Sequence, residues 1–259
     1  MRNVEALWRL FARWPRATLH ASPELEWFES PLRFHIYNGV FRTGDLADRP
    51  LVIATVRGHF ARAGKPFWWV VSPRNRATGL AEELASAGLS HLEDVEGMAR
   101  SLARPLSRKE IPGVRIEAVR DAAGAQAYRA MQQERWQLSS AVEDDLRDLH
   151  RYMDHLPTFT RVIAWLDGKP VGKAASFVDG EVAGIYGVYT RPPARGRGIG
   201  EAVTAEAIDA AHRLGARRVV LHSEPKAVRL YERMGFSKVC PLPLYVGSPQ
   251  AARSGAPNP

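Results

Sequence analysis

Cysteine is almost missing from this chain: Cys240 is the only one in 259 residues. A single thiol excludes an internal disulfide framework and a cysteine-rich metal site, and it makes a reducing cytoplasm the expected location. No apolar run approaches the roughly 20 residues that a membrane-spanning helix needs, so no membrane association is expected. The opening stretch MRNVEALWRLFARW lacks the apolar centre of a secretory leader, and Glu5 with the scarcity of serine speaks against a transit peptide. Its Val4, Leu7, Trp8 and Phe11 form a helical stripe expected to pack on a core. Basic blocks are also lacking. The net charge of +8 is spread evenly: residues 1–108 carry 15 Lys+Arg against 11 Asp+Glu, and residues 109–259 carry 21 against 17, a difference of +4 each. Nucleic-acid binding is therefore not expected, whereas a mild positive field suits a small anionic ligand. His150 and His155 stand five apart on a predicted helix and do not share a face, so they read as surface, and no metal site is expected.

What the sequence does have is a glycine-rich turn between a strand and a helix. Residues 182–189 alternate small and large apolar side chains like a buried strand. After Pro192-Pro193 come Arg195-Gly196-Arg197-Gly198-Ile199-Gly200, where glycines bring bare backbone N–H groups together. From Ile199, the set Val203, Ala207, Ile208, Ala211 and Leu214 recurs at helical spacing, with Gly215 placed to end the helix in the left-handed region. The unpaired N–H groups of the first turn and the positive end of the helix dipole favour an anion there. Arg195 and Arg197 add full charges. A dinucleotide site of the βαβ type would want a carboxylate about twenty residues on, at the tip of the next strand; Leu221, His222 and Ser223 stand there instead.

Arg195, Gly198 and Gly200, preceded by Thr190-x-Pro192, resemble motif A of the GNAT acetyltransferase superfamily. Ala227-x-x-Leu230-Tyr231-x-x-x-Gly235-Phe236 resembles a second element of that family, in the right order and at the expected separation. The resemblance implies an α/β (α+β) fold with a mixed, mostly antiparallel sheet flanked by helices. It also implies acetyl-CoA as co-substrate and transfer of its acetyl group to an amine by direct attack in a ternary complex. On this reading the cofactor is held by Val188, Tyr189 and Thr190 through the backbone, by Arg195, Gly196, Arg197, Gly198, Ile199 and Gly200 around the diphosphate, and by Ser223 and Lys226 nearby. Tyr231 takes the place of the acid that protonates the leaving thiolate. The family's glutamate on the preceding strand is replaced by Gly184, so the base stays open. Glu134, Glu181, Tyr186 and His222 are the candidates for lining the acceptor site. Glu224 stands where many members have asparagine, which puts local cofactor contacts in question. The acceptor is expected to be a small-molecule amine or a peptide N-terminus, and the protein a monomer or homodimer. The alternative is a module that holds CoA without transferring acyl groups.

The first half reads as a worn copy of the second. Asn38-Gly39-Val40-Phe41 matches Tyr186-Gly187-Val188-Tyr189 at an offset of 148, and Leu84 with Gly88-Leu89 matches Tyr231 with Gly235-Phe236 at an offset of 147. Phe67–Val71 corresponds to Val219–Leu221. In place of the glycine-rich turn stands Ala47-Asp48-Arg49-Pro50-Leu51-Val52, with no glycine and an added carboxylate. The tandem reading is therefore a degenerate GNAT-like domain over 1–108, a catalytic GNAT domain over 109–246 and a tail over 247–259, with the junction near Arg104–Gly113. Beyond the junction the sequence predicts a strand over 114–119, a helix capped by Asp121 and running to Trp136, and a second helix opened by a Ser140-x-x-Glu143 capping box. Hairpin turns are predicted at Asp167-Gly168 and Asp179-Gly180.

Overall fold

A computed structural model describes residues 2–75, 78–103 and 110–249. The expected junction falls partly, and the expected tail mostly, outside these residues. The chain forms two compact units, Met1–Glu96 with Cys240–Pro259, and Gly97–Val239.

In the first unit the elements run α1 (Arg2–Phe11), β1 (Thr18–Ala21), β2 (Leu25–Glu29), β3 (Gly39–Thr43), α2 (Arg49–Ala63), β4 (Phe67–Val70), α3 (Leu80–Ser86) and the start of β5 (Ser90–Ser101). β1, β2 and β3 pair antiparallel in turn, and β3 then pairs parallel with β4. The apolar face of α2 supplies Ile53, Val56 and Phe60 to a core with Val40, Trp69 and Leu84. Each such side chain, fully withdrawn from water, contributes about 1.5–3 kcal/mol. The stripe read in α1 buries Val4, Leu7 and Trp8.

In the second unit follow β6 (Val114–Ala118), α4 (Ala122–Trp136), α5 (Glu143–Asp154), β7 (Phe159–Leu166), β8 (Lys169–Asp179), β9 (Val182–Thr190), α6 (Ile199–Arg213), β10 (Arg218–Ser223), α7 (Val228–Arg233) and β11 (Ser237–Gly247), which counts with the first unit from Cys240 on. β6 to β9 form an antiparallel meander, and β10 joins β9 in parallel. Asp167 and Gly168 both take positive φ, 49° and 76°, as a two-residue type I′ hairpin requires. Asp121 caps α4 by accepting from the Gly124 N–H at 2.7 Å. α6 packs so tightly on the sheet that a Cβ on Gly172 of β8 would lie 2.6 Å from Ile199 Cγ2.

Two expectations are corrected. Ser140 does not cap α5: residues Ser140–Val142 form a 3₁₀ turn, and Val142 stands at the cap with no side-chain bond. Glu143 is instead drawn to Arg129, 3.2 Å away. His150 is not on the surface, because the α5 stripe of Leu146, Leu149 and Met153 carries it inward, where its Nδ1 lies 3.1 Å from Arg161 Nη1.

The internal repeat is visible element by element. β3-α2-β4-α3-β5 and β9-α6-β10-α7-β11 follow the same order, each with a parallel strand pair flanking its long helix. The short helices end alike. Gly88 (φ 81°) lets the Leu89 N–H reach the Leu84 carbonyl at 3.0 Å, and Gly235 (φ 83°) lets the Phe236 N–H reach the Tyr231 carbonyl at 3.0 Å.

Candidate active site

The site begins where two parallel strands part. Arg218–Leu221 of β10 pair with Val182–Ile185 of β9, and the register ends at Leu221↔Ile185, although β9 continues to Thr190 and β10 to Ser223. Along the same stretch β9 carries a bulge against β8. Ala175 faces Tyr186 and Lys173 faces Tyr189, so Gly187 and Val188 share the single partner Ala174. Gly187 takes φ 60°, the left-handed geometry of the first residue in a glycine bulge.

From Thr190 the chain turns through Pro192–Ala194 into the glycine-rich loop. Gly196 and Gly198 take φ 77° and 81°, and Gly198 occupies the N-cap of α6 without any side-chain hydrogen bond to the first turn. The leading N–H groups of a fifteen-residue helix are thus left without a side-chain cap. Arg195 and Arg197 are exposed, and Arg195 Nε donates to the Thr190 carbonyl at 3.1 Å, tying the loop to the end of β9. Ile199 is buried and anchors the turn in the core. The corresponding turn of the first unit is closed: Asp48 caps α2 by accepting from the Leu51 N–H at 3.0 Å.

Tyr231 lies on α7, buried, with its ring edge-on to Phe236 at 5.9 Å. Burial, reinforced by the charge of Glu224, pushes its hydroxyl up to about 12, so it holds its proton across the neutral range. Glu224 is held by Lys226 at 2.7 Å and by Arg135. Burial opposes its charge, but these two cations outweigh it and keep the carboxyl below its ordinary range. Lys226 is otherwise exposed, and the Ser223 hydroxyl donates to the Glu224 carbonyl at 2.9 Å.

The expected acceptor residues divide. The Glu134 carboxylate, at the end of α4, accepts from the Tyr189 hydroxyl and from Arg191 Nε, both at 2.8 Å, so it stands against the far end of β9 beside the loop. Tyr186 begins the part of β9 that leaves β10, and burial raises its hydroxyl pKa. His222 sits on β10 just past the last paired residue, its imidazole lowered to about 4 by burial and hence neutral. Glu181 precedes β9 and pairs with Arg217 at 3.1 Å. It lies about nine residues of strand, roughly 30 Å, from the loop, and the structure does not bring it to the others.

The sequence reading missed Lys173. This lysine of β8 is fully buried, and its Nζ donates to the Gly187 carbonyl at 2.9 Å and to Gln132 Oε1, 4.7 Å above the centre of the Tyr128 ring. Burial, with Arg135 and Arg161 nearby, lowers its ammonium to about 7. The sequence offers only a lysine within Val171–Val178, without the partners that bury it.

Residues 126–236 match the model of the acetyltransferase (GNAT) family. No curated relative matches the chain. Among solved structures, a GCN5-related N-acetyltransferase from Kribbella flavida is 21% identical, with 95% of this chain and 94% of that chain covered and a TM-score of 0.71. A GCN5-related N-acetyltransferase from Sphaerobacter thermophilus is 20% identical over 89% of this chain and 82% of that chain, with a TM-score of 0.58. A tandem GNAT protein from the clavulanic acid biosynthesis pathway shares 12% identity, 96% and 95% coverage, and a TM-score of 0.61. At these identities the structures establish the fold alone. Among the described residues no helix is long and apolar enough to cross a membrane.

Proposed function

We propose, for a chain whose residues 126–236 match the model of the acetyltransferase (GNAT) family, that its second half transfers an acetyl group from acetyl-CoA to an amine. The observation that carries this reading is the uncapped N-terminus of α6 at Gly198, set beside strands that stop pairing at Leu221↔Ile185. Acetyl-CoA supplies an activated thioester. The loop from Arg195 to Gly200 holds the diphosphate with backbone N–H groups, the helix dipole and the two arginines. The bulged segment Val188–Thr190 offers main-chain groups to the pantetheine amides. A backbone N–H aimed at the thioester carbonyl stabilises the charge that develops on attack, and contact between amine and carbonyl supplies much of the rate. As the C–N bond forms and the C–S bond breaks, the amine gives up its proton to water and Tyr231 gives its own to the departing thiolate, regaining it from solvent.

Lys173 acts as a positioning residue, bracing the Gly187 carbonyl and so fixing the bulge. Glu134, Tyr186 and His222 line the acceptor side, and the acceptor is a small amine or a peptide N-terminus. In terms of function the division is 1–108 for the worn copy, 109–246 for the catalytic domain and 247–259 for the tail, while the compact units differ at its edges, Gly97 onward counting with the second and Cys240 onward with the first. The first copy is inert toward the cofactor because Asp48 occupies the anion position of its own helix. The test is mass spectrometry of products after the protein and acetyl-CoA are incubated with a panel of amines. Acetylated amine matched by free thiol supports transfer. Cofactor binding with no product on any amine would instead make the chain a CoA-holding module.

A further inference from the structure

The first unit holds a cluster that acyl transfer does not use. His20 of β1, Glu29 of β2 and His59 of α2 each offer one ligand atom, and these atoms all lie within 4.8 Å of one another. The pairing His20↔Trp27 and Thr18↔Glu29 puts His20, Trp27 and Glu29 on one face of the β-ribbon. His59 meets that face from α2, its Nε2 3.0 Å from Glu29 Oε2. The His20 ring stacks on Trp27 at 3.7 Å and 4°, which fixes its plane while leaving the in-plane nitrogens free to bind. Its Nε2 is shielded from solvent and has no hydrogen-bond partner. A fixed, partnerless imidazole nitrogen facing a histidine and a carboxylate is poorly explained by packing alone.

We propose that His20, Glu29 and His59 form a binding site for one divalent ion of the zinc class, with water completing the coordination. Two imidazoles and a carboxylate are a zinc donor set, whereas calcium and magnesium prefer all-oxygen shells. Ligand bonds of about 2.0–2.2 Å at tetrahedral angles put neighbouring donors roughly 3.3–3.6 Å apart, so an inward turn of the side chains by about 1 Å closes the site. Lys65 is the competing cation, its Nζ 3.5 Å from Glu29 Oε2. A bound ion displaces it and ties the edge strand β1 to α2.

The site is tested with cobalt(II) as a visible probe on the untagged, chelator-treated full-length chain. The expected result is one saturable equivalent with the intense visible bands of a four- or five-coordinate ion, displaced by one equivalent of zinc. His20→Gln and His59→Gln each weaken binding by more than about 100-fold, since even outer-sphere partners of a metal are worth about 10- to 100-fold. Lys65→Met tightens it, and in wild type the thermal midpoint rises with zinc. Far-ultraviolet circular dichroism identifies any variant that fails to fold, and Lys65→Met alone still discriminates. Only the weak spectrum of hydrated cobalt, or unchanged affinity in folded His20→Gln or in Lys65→Met, would overturn the site. Acetyl transfer is not involved in any of these readouts.

Discussion

The ammonium of Lys173 donates to the Gly187 carbonyl at 2.9 Å, joining a fully buried charge on β8 to the bulge that interrupts β9. Among the described residues no carboxylate bonds this lysine; its partners are a carbonyl, an amide oxygen and the Tyr128 ring. Arg161, which also approaches that ring, is engaged with Asp154 and His150. The bulge is therefore held from beneath by a group whose charge depends on pH.

That dependence fixes the sign of a stability effect. In the folded chain Lys173 loses its proton at about 7, against 10.5 ordinarily. Between these values the unfolded chain binds more protons, so stability rises with pH, by up to about 1.4 kcal/mol per unit from this group. Denaturant unfolding from pH 7 to 10 is expected to show a shallower rise in Lys173→Met than in wild type. Identical slopes would contradict the assignment.

Gly198 and Asp48 occupy matching caps with opposite consequences, one open and one filled by its own carboxylate. Gly198→Asp is expected to reproduce the closed state, weakening acetyl-CoA binding at least tenfold (about 1.4 kcal/mol), with a stability loss of about 1–2 kcal/mol from the left-handed backbone. Calorimetric titration and thermal unfolding separate the two effects.

Tyr231→Phe removes a hydroxyl without altering the ring that packs on Phe236. Binding of acetyl-CoA is expected to stay within about twofold while turnover falls about 10²- to 10⁴-fold, the usual worth of a positioned acid. Because burial pushes the hydroxyl to about 12, the wild-type rate should show no loss from this group's ionisation between pH 6 and about 10. A Phe variant at full rate removes Tyr231 from the chemistry.

Gly172→Val pushes a side chain onto Ile199, the first residue of α6. Overpacking of this kind typically loses about 1–3 kcal/mol, read as a lower melting temperature. Since Ile199 anchors the loop, acetyl-CoA affinity should fall as well; unchanged affinity would mean that the loop is positioned independently of this contact.

The parts of the fold legible in the sequence were those written in local rules. Asp167-Gly168 had to turn, Asp121 could cap, Gly215 supplied a left-handed helix end, and glycines before Ile199 left a helix start bare. Ser140 followed the capping pattern and failed because Arg129 draws Glu143 away and a 3₁₀ turn precedes the helix. Lys173 and His150 were not legible, since burial of a cation or an imidazole is decided by partners such as Gln132 and Arg161 that sequence spacing does not connect. His20, Glu29 and His59 likewise meet only through the pairing of β1 with β2 and the packing of α2.

The central claim is that the open start of α6 takes the diphosphate of acetyl-CoA. A crystal structure of the full-length chain with acetyl-CoA tests it most directly. One cofactor per chain, its diphosphate within hydrogen-bonding distance of the backbone N–H groups from Gly196 to Gly200 and its pantetheine arm between β9 and β10, is the predicted result. A diphosphate bound at the start of α2 beside Asp48, or β9 and β10 paired beyond Ile185 and Leu221 with the cofactor elsewhere, would contradict it.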